Sequence, residues 1–316
     1  MTNKISIEDS IYVAGHNGMA GSAICRSLKK FGYKNLITLS KNELDLRDQG
    51  KVRKWFKYNT PDIVVLAAAK VGGILANSMY PYDFMLDNIL IQTNLMESSF
   101  NNSVKRFLFL SSSCAYPKEC PQPIKEDYLL NSCLEKTNEG YALAKILGMK
   151  FCEALNKQKR FDAFSLMPTN LYGPNDNYDD NSSHVFAALI KKFVIAKVNN
   201  FDEVICWGDG SPKREFLHVD DLGDACVFCL ENFQYKKESF SYLNVGTGKD
   251  ITIFELASII KEIVGYKGKI VWDITKPNGT PQKKLDVTRL KKLGWESKIG
   301  LKEGIIKTID EFKKNL

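Results

Sequence analysis

The stretch Ile11-Tyr12-Val13-Ala14-Gly15-His16-Asn17-Gly18-Met19-Ala20-Gly21 decides the fold of this chain. Its first four residues are typical of a short buried strand, and a helical pattern follows over residues 22–30. Between them, Gly15, Gly18 and Gly21 allow the backbone to turn tightly and to approach a pyrophosphate, while the helix N-terminus offers free N–H groups. The order of strand, glycine turn and helix predicts a dinucleotide-binding unit.

Strand-like and helix-like segments alternate beyond this motif as far as Pro168. Apolar strand patterns cover residues 36–39, 62–67, 106–110 and 161–167, and helical patterns cover residues 49–58, 82–100 and 138–155. Such alternation predicts an α/β protein with a doubly wound parallel sheet of the Rossmann type.

The pattern loosens after residue 170, where turn-rich stretches separate the remaining helices. A chain of 316 residues, 44% of them hydrophobic, is long enough for one large domain or two lobes, and we favour two. The predicted division is a dinucleotide domain over residues 1–170 and, over residues 171–316, mainly a smaller C-terminal substrate-binding lobe. Residues 215–232 are expected to return to the first domain, and the segment from Asn244 onwards to complete the second lobe.

The eight cysteines are scattered without a repeated metal-ligand spacing, so reduced thiols and no metal site are expected. Cys226 and Cys229 form a lone CxxC, but the surrounding apolar helix pattern favours buried packing over a zinc or redox role. The chain contains neither an apolar run long enough to span a membrane nor a signal-peptide pattern, and we expect a cytoplasmic protein.

The net charge of +7 comes from 44 basic and 37 acidic residues that are not segregated along the chain. Paired lysines such as Lys283-Lys284 are typical of solvated helix faces. The modest positive surplus suits an anionic small ligand, and the basic stripe with interleaved aromatics that indicates a nucleic-acid binder is missing. Neither nucleic acid nor a membrane is therefore an expected partner.

The end of the second predicted strand bears on the choice of cofactor. An NAD site places an acidic residue there to bind the ribose hydroxyls, whereas this chain has Leu39-Ser40-Lys41. A cation favours the 2′-phosphate of NADP, although Lys41 is equally interpretable as an ordinary exposed lysine. Asp45 and Leu46 are expected to flank the adenine, and Ala67 and Ala68 to provide the small surface that a cofactor needs.

Tyr141 and Lys145 stand four residues apart and therefore on one face of a predicted helix, downstream of Ser112 at the end of a strand. A neighbouring ammonium favours the phenolate of a tyrosine, whose ordinary pKa is about 10. With Tyr141 as proton donor and Ser112 hydrogen-bonded to the same carbonyl, the set predicts ketone reduction. A positioned acid of this kind contributes about 10²- to 10⁴-fold in rate.

Cys114 and His184 suggest a second activity. A proton on the carbon next to a ketone is acidic, so a thiolate on one face and an imidazolium on the other are able to invert that centre. Cys114 is equally interpretable as an inert cysteine, and His184 as an exposed residue at a helix start.

Nine segments in this order resemble one family, the extended short-chain dehydrogenase/reductases, and within it the branch that acts on GDP-linked 4-keto-6-deoxy sugars. The segments are AGHNGMAGSAI (14–24), LAAAKVGGI (66–74), SSCAYP (112–117), YALAK (141–145), MPTNLYGPNDN (167–177), SSHV (182–185), REFLHVDD (214–221), NVGTG (244–248) and LDVTRLKKLGW (285–295). The resemblance runs nearly end to end.

The resemblance implies a homodimeric, NADPH-dependent enzyme that epimerises C3 and C5 of GDP-4-keto-6-deoxy-D-mannose and reduces C4 to give GDP-L-fucose. It implies that Cys114 is the epimerisation base and His184 its acid, and that Lys192, Trp207, Arg214 and Asn278 bind the nucleotide-sugar. The implied cofactor-binding residues are Gly15, His16, Asn17, Gly18, Met19, Ala20, Gly21, Lys41, Asp45, Leu46, Ala67, Ala68, Ser111, Tyr141, Lys145, Pro168, Thr169, Asn170, Leu171 and His184.

Three positions depart from the family pattern. Arginine is usual where this chain has Asn17, with a further basic residue near Leu39, so a weaker preference for NADP over NAD is expected. Asn278 stands where aspartate is common, which leaves the sugar open. The alternatives are a GDP-heptose C4-ketoreductase without epimerase activity and a catalytically silent dinucleotide sensor, which the intact reductase set disfavours.

Overall fold

The computed structural model describes residues 4–180, 182–235, 241–276, 278–314 and 316. Its strands are β1 (Ile11–Ala14), β2 (Leu36–Ile37), β3 (Ile63–Leu66), β4 (Arg106–Leu110), β5 (Ala163–Pro168), β6 (Asn170–Tyr172), β7 (Glu203–Trp207), β8 (Lys213–His218), β9 (Tyr242–Val245), β10 (Asp250–Thr252), β11 (Lys269–Asp273) and β12 (Gln282–Lys283). Its helices are α1 (Met19–Lys30), α2 (Gln49–Tyr58), α3 (Ile74–Met79), α4 (Pro81–Asn101), α5 (Glu139–Lys159), α6 (Val185–Val198), α7 (Val219–Asn232), α8 (Ile253–Val264), α9 (Thr288–Leu293) and α10 (Leu301–Lys314).

The main sheet has six parallel strands in the order β2-β1-β3-β4-β5-β9. Every residue of β1, β3, β4 and β5 is buried, as expected when helices cover both faces of a sheet. The strand order reverses beside β1. In this architecture ligands bind at such a point, in the crevice outside the carboxyl ends of the strands. The doubly wound parallel sheet predicted from the sequence is confirmed.

The helices of the first lobe pack closely against one another on the faces of the main sheet. On one side of the sheet α1 packs so closely against α7 that a Cβ added to Gly223 would lie 2.6 Å from the Ala23 carbonyl oxygen. Elsewhere α4 packs against α2 and α5. The predicted helices and strands of this half agree with the structure to within a few residues.

A second lobe covers the crevice. Strand β8 pairs with β6, β10 and β12, a separate pair is formed by β7 and β11, and α6, α8 and α10 pack around these strands. Its core includes Phe186, Phe193, Leu256 and Ile260, all essentially inaccessible to solvent.

The predicted domain division needs correction in two places. Strand β8 belongs to the second lobe, so only the α7 part of residues 215–232 returns to the dinucleotide domain. Strand β9, which includes Asn244, is the sixth strand of the main sheet and not part of the second lobe. Local patterns identify a buried strand but not its partner, because strand pairing depends on chain segments far apart in sequence.

Cys226 and Cys229 are fully buried in α7, which confirms the packing interpretation of the CxxC, and all eight cysteines are free thiols. No helix within the described residues is both long and apolar enough to cross a membrane.

Candidate active site

One cleft of about 1290 Å³ separates the carboxyl ends of the main sheet from the second lobe. Every residue that the sequence interpretation assigned to catalysis, cofactor or substrate contributes to its lining. The fold therefore brings together side chains from both lobes, although their individual roles remain predictions.

The glycine loop forms one end of the cleft. Gly15 has φ +90°, and its carbonyl accepts a 3.0 Å hydrogen bond from the Gly18 N–H. A Cβ on Gly21 would lie 2.1 Å from the Gly15 carbonyl oxygen, so only glycine permits this turn. Helix α1 begins without a capping side chain or an acidic residue in its first turn, which leaves its N-terminus able to bind the diphosphate of a dinucleotide.

Polar atoms near this loop also fit a dinucleotide. His16 Nδ1 and Ser111 Oγ are buried without hydrogen-bond partners in the described part of the chain, and both residues line the cleft. Arg47 binds Asp45 at 2.7 Å and Asp87 at 3.2 Å. Hydrogen bonding to Arg47 lowers the pKa of Asp45 to about 2, so this carboxylate is charged beside the predicted adenosine end. Lys41, the predicted 2′-phosphate ligand, lines the same part.

Ser112 lies just beyond the carboxyl end of β4. Its hydroxyl accepts a 3.2 Å hydrogen bond from the Cys114 N–H. The Tyr141 phenol, which α5 presents to the cleft, is close enough that Ser112 opposes part of the rise that burial causes in the pKa of Tyr141. One serine thus lies beside both the predicted proton donor and the turn that carries the predicted thiol base.

Lys145 is 4% exposed, and its Nζ donates a 2.8 Å hydrogen bond to the Leu110 carbonyl. Burial lowers the pKa of Lys145 to about 7 and raises the pKa of Tyr141 above its ordinary value. The expectation that Lys145 lowers the pKa of Tyr141 is therefore wrong, since burial raises that pKa instead. Desolvation acts on both groups, and the ammonium is 5.8 Å from the ring centroid and bonded to the strand instead.

His184 caps the N-terminus of α6 and faces the cleft from the loop that precedes this helix. The loop is held against the first lobe by the Gly73 N–H, which donates to the Ser182 carbonyl at 2.9 Å. A Cβ on Gly73 would lie only 2.7 Å from the Ser183 carbonyl oxygen. The surrounding cleft walls lower the pKa of His184 by desolvation, which makes its protonated form a stronger acid.

The second lobe presents an aromatic face and three cations to this side of the cleft. Trp207, at the end of β7, is 48% exposed, with Lys192 Nζ 5.9 Å and Lys276 Nζ 5.6 Å from its ring. The Arg214 guanidinium donates to the Lys213 carbonyl at 2.8 Å. The Asn278 side-chain oxygen accepts the Asp209 N–H at 3.1 Å, which ties this residue to the turn after Trp207.

Comparison with known proteins identifies the family. The model of the NAD dependent epimerase/dehydratase family matches residues 11–246. A putative GDP-L-fucose synthase 2 from Arabidopsis thaliana is 53% identical over 97% of this chain and 92% of its own length, and the GDP-L-fucose synthase of Escherichia coli strain K12 is 47% identical over 96% and 97%. A solved structure, the GDP-mannoheptose C4 reductase of Campylobacter jejuni with NADP bound, superposes with a TM-score of 0.89 at 35% identity over 98% of this chain and 99% of its own.

This chain belongs to the NAD dependent epimerase/dehydratase family. The resemblance to extended short-chain dehydrogenase/reductases is thereby confirmed.

For a member of this family, the sequence interpretation missed three features of the cleft. Arg47, two residues after the predicted Asp45, was detectable as a nearby cation. Gly73, within the quoted VGGI segment, joins the two lobes. Lys283 lies on β12 in the cleft wall and not on a solvated helix face, because strand pairing with β8 half-buries it.

Proposed function

We propose that this chain is an NADPH-dependent enzyme that epimerises GDP-4-keto-6-deoxy-D-mannose at C3 and C5 and reduces C4, giving GDP-L-fucose. One observation carries the proposal: Ser112 lies beside Tyr141, the proton donor of a ketoreductase, and accepts a hydrogen bond from the turn that carries the thiol of Cys114. The names of the two closely similar relatives support this substrate.

Reduction uses the residues at the end of β4 and on α5. NADPH, when bound along the glycine loop and held by Lys145, supplies hydride to the ketone carbon. Burial raises the pKa of Tyr141, so the phenol stays protonated until it donates its proton to the carbonyl oxygen. Ser112 donates a hydrogen bond to the same oxygen and keeps the phenol in place. Lys41 and the N-terminus of α1 would bind the phosphates of NADPH.

Epimerisation uses the two walls of the cleft. The Cys114 thiolate removes the proton next to the ketone, and the electron pair moves to the carbonyl oxygen, which Tyr141 and Ser112 stabilise by hydrogen bonding. His184 then protonates the opposite face of the same carbon. Because its pKa is lowered, the protonated imidazole gives up its proton readily.

The second lobe binds the GDP group in this proposal. Trp207 provides a stacking surface for the guanine, and Arg214 a fork that matches the diphosphate. Lys192 and Asn278 line the same part of the cleft. The Asn278 side-chain oxygen is used by the Asp209 N–H, so its amide nitrogen is the group left to contact the nucleotide-sugar.

A GDP-heptose C4-ketoreductase is the second candidate. It is favoured by the structural similarity to the Campylobacter jejuni heptose reductase. In that case Cys114 and His184 would lie in the cleft without inverting a carbon.

Deuterium exchange separates the two candidates. In D₂O without NADPH, the wild-type protein should introduce deuterium at C3 and C5 of GDP-4-keto-6-deoxymannose, as measured by NMR. Cys114→Ser should abolish exchange, whereas Cys120→Ser, at a half-buried thiol outside the cleft lining, should not. Reduction by NADPH without any exchange would favour the heptose candidate.

We also propose a homodimer formed by α4 and α5 and a cytoplasmic location. Leu143 and Leu147 are one turn apart on α5 and are 41% and 42% exposed, and Tyr82 on α4 is 73% exposed. Leu147→Arg should give a monomer in sedimentation velocity, whereas Ile306→Arg on the exposed face of α10 should not. A wild-type monomer would contradict the dimer. Eight free thiols are typical of a reducing compartment.

A further inference from the structure

Lys283 is a cation in the cleft to which the reactions above assign no role. Its Nζ is 3.9 Å from the Cys114 Sγ, and the side chain is half-buried. No ion pair between Lys283 and a carboxylate occurs within the described ranges of the chain. A half-buried ammonium with no carboxylate partner among the described residues therefore lies within hydrogen-bonding distance of the thiol.

The backbone on both sides of Lys283 is anchored. Strand β12 is parallel to β8, with Lys283 opposite Arg214. The buried carboxylate of Glu215 accepts the Leu285 N–H at 2.7 Å and also the N–H groups of Thr247 and Gly248, at 2.6 Å and 2.7 Å. Glu215 is completely inaccessible to solvent. The fold thus fixes the backbone position from which the Lys283 side chain reaches the thiol.

Two cations and a neutral phenol lie near the Cys114 thiol. Arg214 on β8 is a second nearby cation, and Tyr141 on α5 is neutral because burial raises its pKa. Lys283 on β12 is the cation within hydrogen-bonding range of the sulfur.

We propose that Lys283 is a further catalytic residue, whose ammonium stabilises the thiolate of Cys114 as the base of epimerisation. In this step the C–H bond next to the ketone breaks, an S–H bond forms, and the electron pair moves to the carbonyl oxygen. Lys283 keeps all of its protons and changes only the acidity of the thiol. The inference rests on the proposed function and deepens it.

Alkylation of the protein without substrate measures the acidity of Cys114 directly. The tryptic peptide of residues 107–118 contains Cys114 as its single cysteine, so mass spectrometry follows its modification by iodoacetamide separately from the other thiols. Lys283→Met should move the midpoint of the alkylation pH profile upwards by about one unit or more and slow alkylation at pH 7 by about tenfold. Lys283→Arg should largely restore the profile.

Lys284→Met is the matched control. Lys284 is adjacent in sequence, but its Nζ lies 3.8 Å from Asp250, and the residue is not part of the cleft lining. Its alkylation profile should equal that of the wild type. An unchanged profile in Lys283→Met would overturn the inference, and so would a raised KM for the GDP-sugar with an unchanged profile, because that result assigns Lys283 to diphosphate binding.

Isotope exchange distinguishes failure of this inference from failure of the proposed function. Lys283→Met should slow deuterium exchange at C3 and C5 about tenfold. If Cys114→Ser leaves exchange intact, the proposed function fails. If Cys114→Ser stops exchange but Lys283→Met does not slow it, only the role of Lys283 fails.

Discussion

The two walls of the cleft are built differently. Strand β4, which leads to Ser112, and its neighbour β5 are buried along their whole length, whereas β7, which ends at Trp207, alternates between exposed and buried residues. A strand buried on both faces has little freedom to shift, and the groups at its end keep their geometry. In the proposed function, the proton donor for reduction lies on the rigid wall, and the contacts to the nucleotide lie on the more exposed wall.

The rigid wall gives the largest expected effect. Tyr141→Phe removes the proton donor without changing the packing of α5, so kcat for NADPH oxidation should fall by about 10²- to 10⁴-fold. NADPH binding, followed by fluorescence titration, should remain close to that of the wild type. Normal turnover in this variant would remove the distinction between the two walls.

The glycine loop tests how closely the rigid wall is packed. Gly21→Ala places a methyl group against the Gly15 carbonyl and should weaken NADPH binding by about 100-fold, since overpacking costs about 1–3 kcal/mol.

Gly18→Ala is the internal control, because Gly18 has φ −80° and the nearest atom to an added Cβ is 3.5 Å away. It should bind NADPH almost normally in the same titration. Equal losses in the two variants would show that the loop is sensitive to any side chain and not to this one contact.

Substitutions in the exposed wall should change substrate binding and leave the rate of the chemical step unchanged. Trp207→Ala should raise KM for the GDP-sugar by about 10- to 100-fold, the contribution of stacking a base on an aromatic ring, with little change in kcat. Ile205→Ala, on the same exposed face of β7, should leave both constants unchanged. A loss confined to kcat would place Trp207 with the catalytic residues.

Burial of the Lys145 ammonium on the rigid wall also lowers the free energy of unfolding. The pKa of Lys145 is lowered to about 7 in the folded protein and is about 10.5 in an unfolded chain, so protonation destabilises the fold. This penalty is fully present below pH 7 and disappears as the pH rises towards 10.5. After allowance for the lost hydrogen bond to Leu110, Lys145→Met should increase the free energy of unfolding at pH 6 by about 2 kcal/mol.

Thermal unfolding at several pH values checks this effect. The increase in melting temperature of Lys145→Met should shrink as the pH approaches 10. Lys157→Met, at an exposed lysine of α5 that pairs with Glu153, should change little at any pH. An increase that is independent of pH would show that packing and not charge is responsible.

Much of the first lobe was predictable because its signals are local. The glycine spacing between β1 and α1 requires only neighbouring residues, and the predicted strands and helices up to residue 168 agree with the structure. The i,i+4 spacing likewise places Tyr141 and Lys145 on one helix face. Their pKa values were not predictable, since burial depends on the walls that surround them.

The second lobe was less predictable. Strand β9 and its Asn244 were assigned to the wrong lobe, because a buried strand of four residues does not indicate which distant strand it pairs with. Lys283 was interpreted as part of a solvated pair for the same reason. Only the pairing of β12 with β8 half-buries it and places its ammonium beside a thiol far away in sequence.

The amino-acid sequence by itself determined the doubly wound fold, the dinucleotide loop and the identities of the reactive side chains, since each depends on short-range spacing. Tertiary structure alone decided which of those groups meet in one cleft, which are desolvated, and which cation faces Cys114. Distance and burial are properties of long-range packing, and long-range packing sets the acidity of these groups.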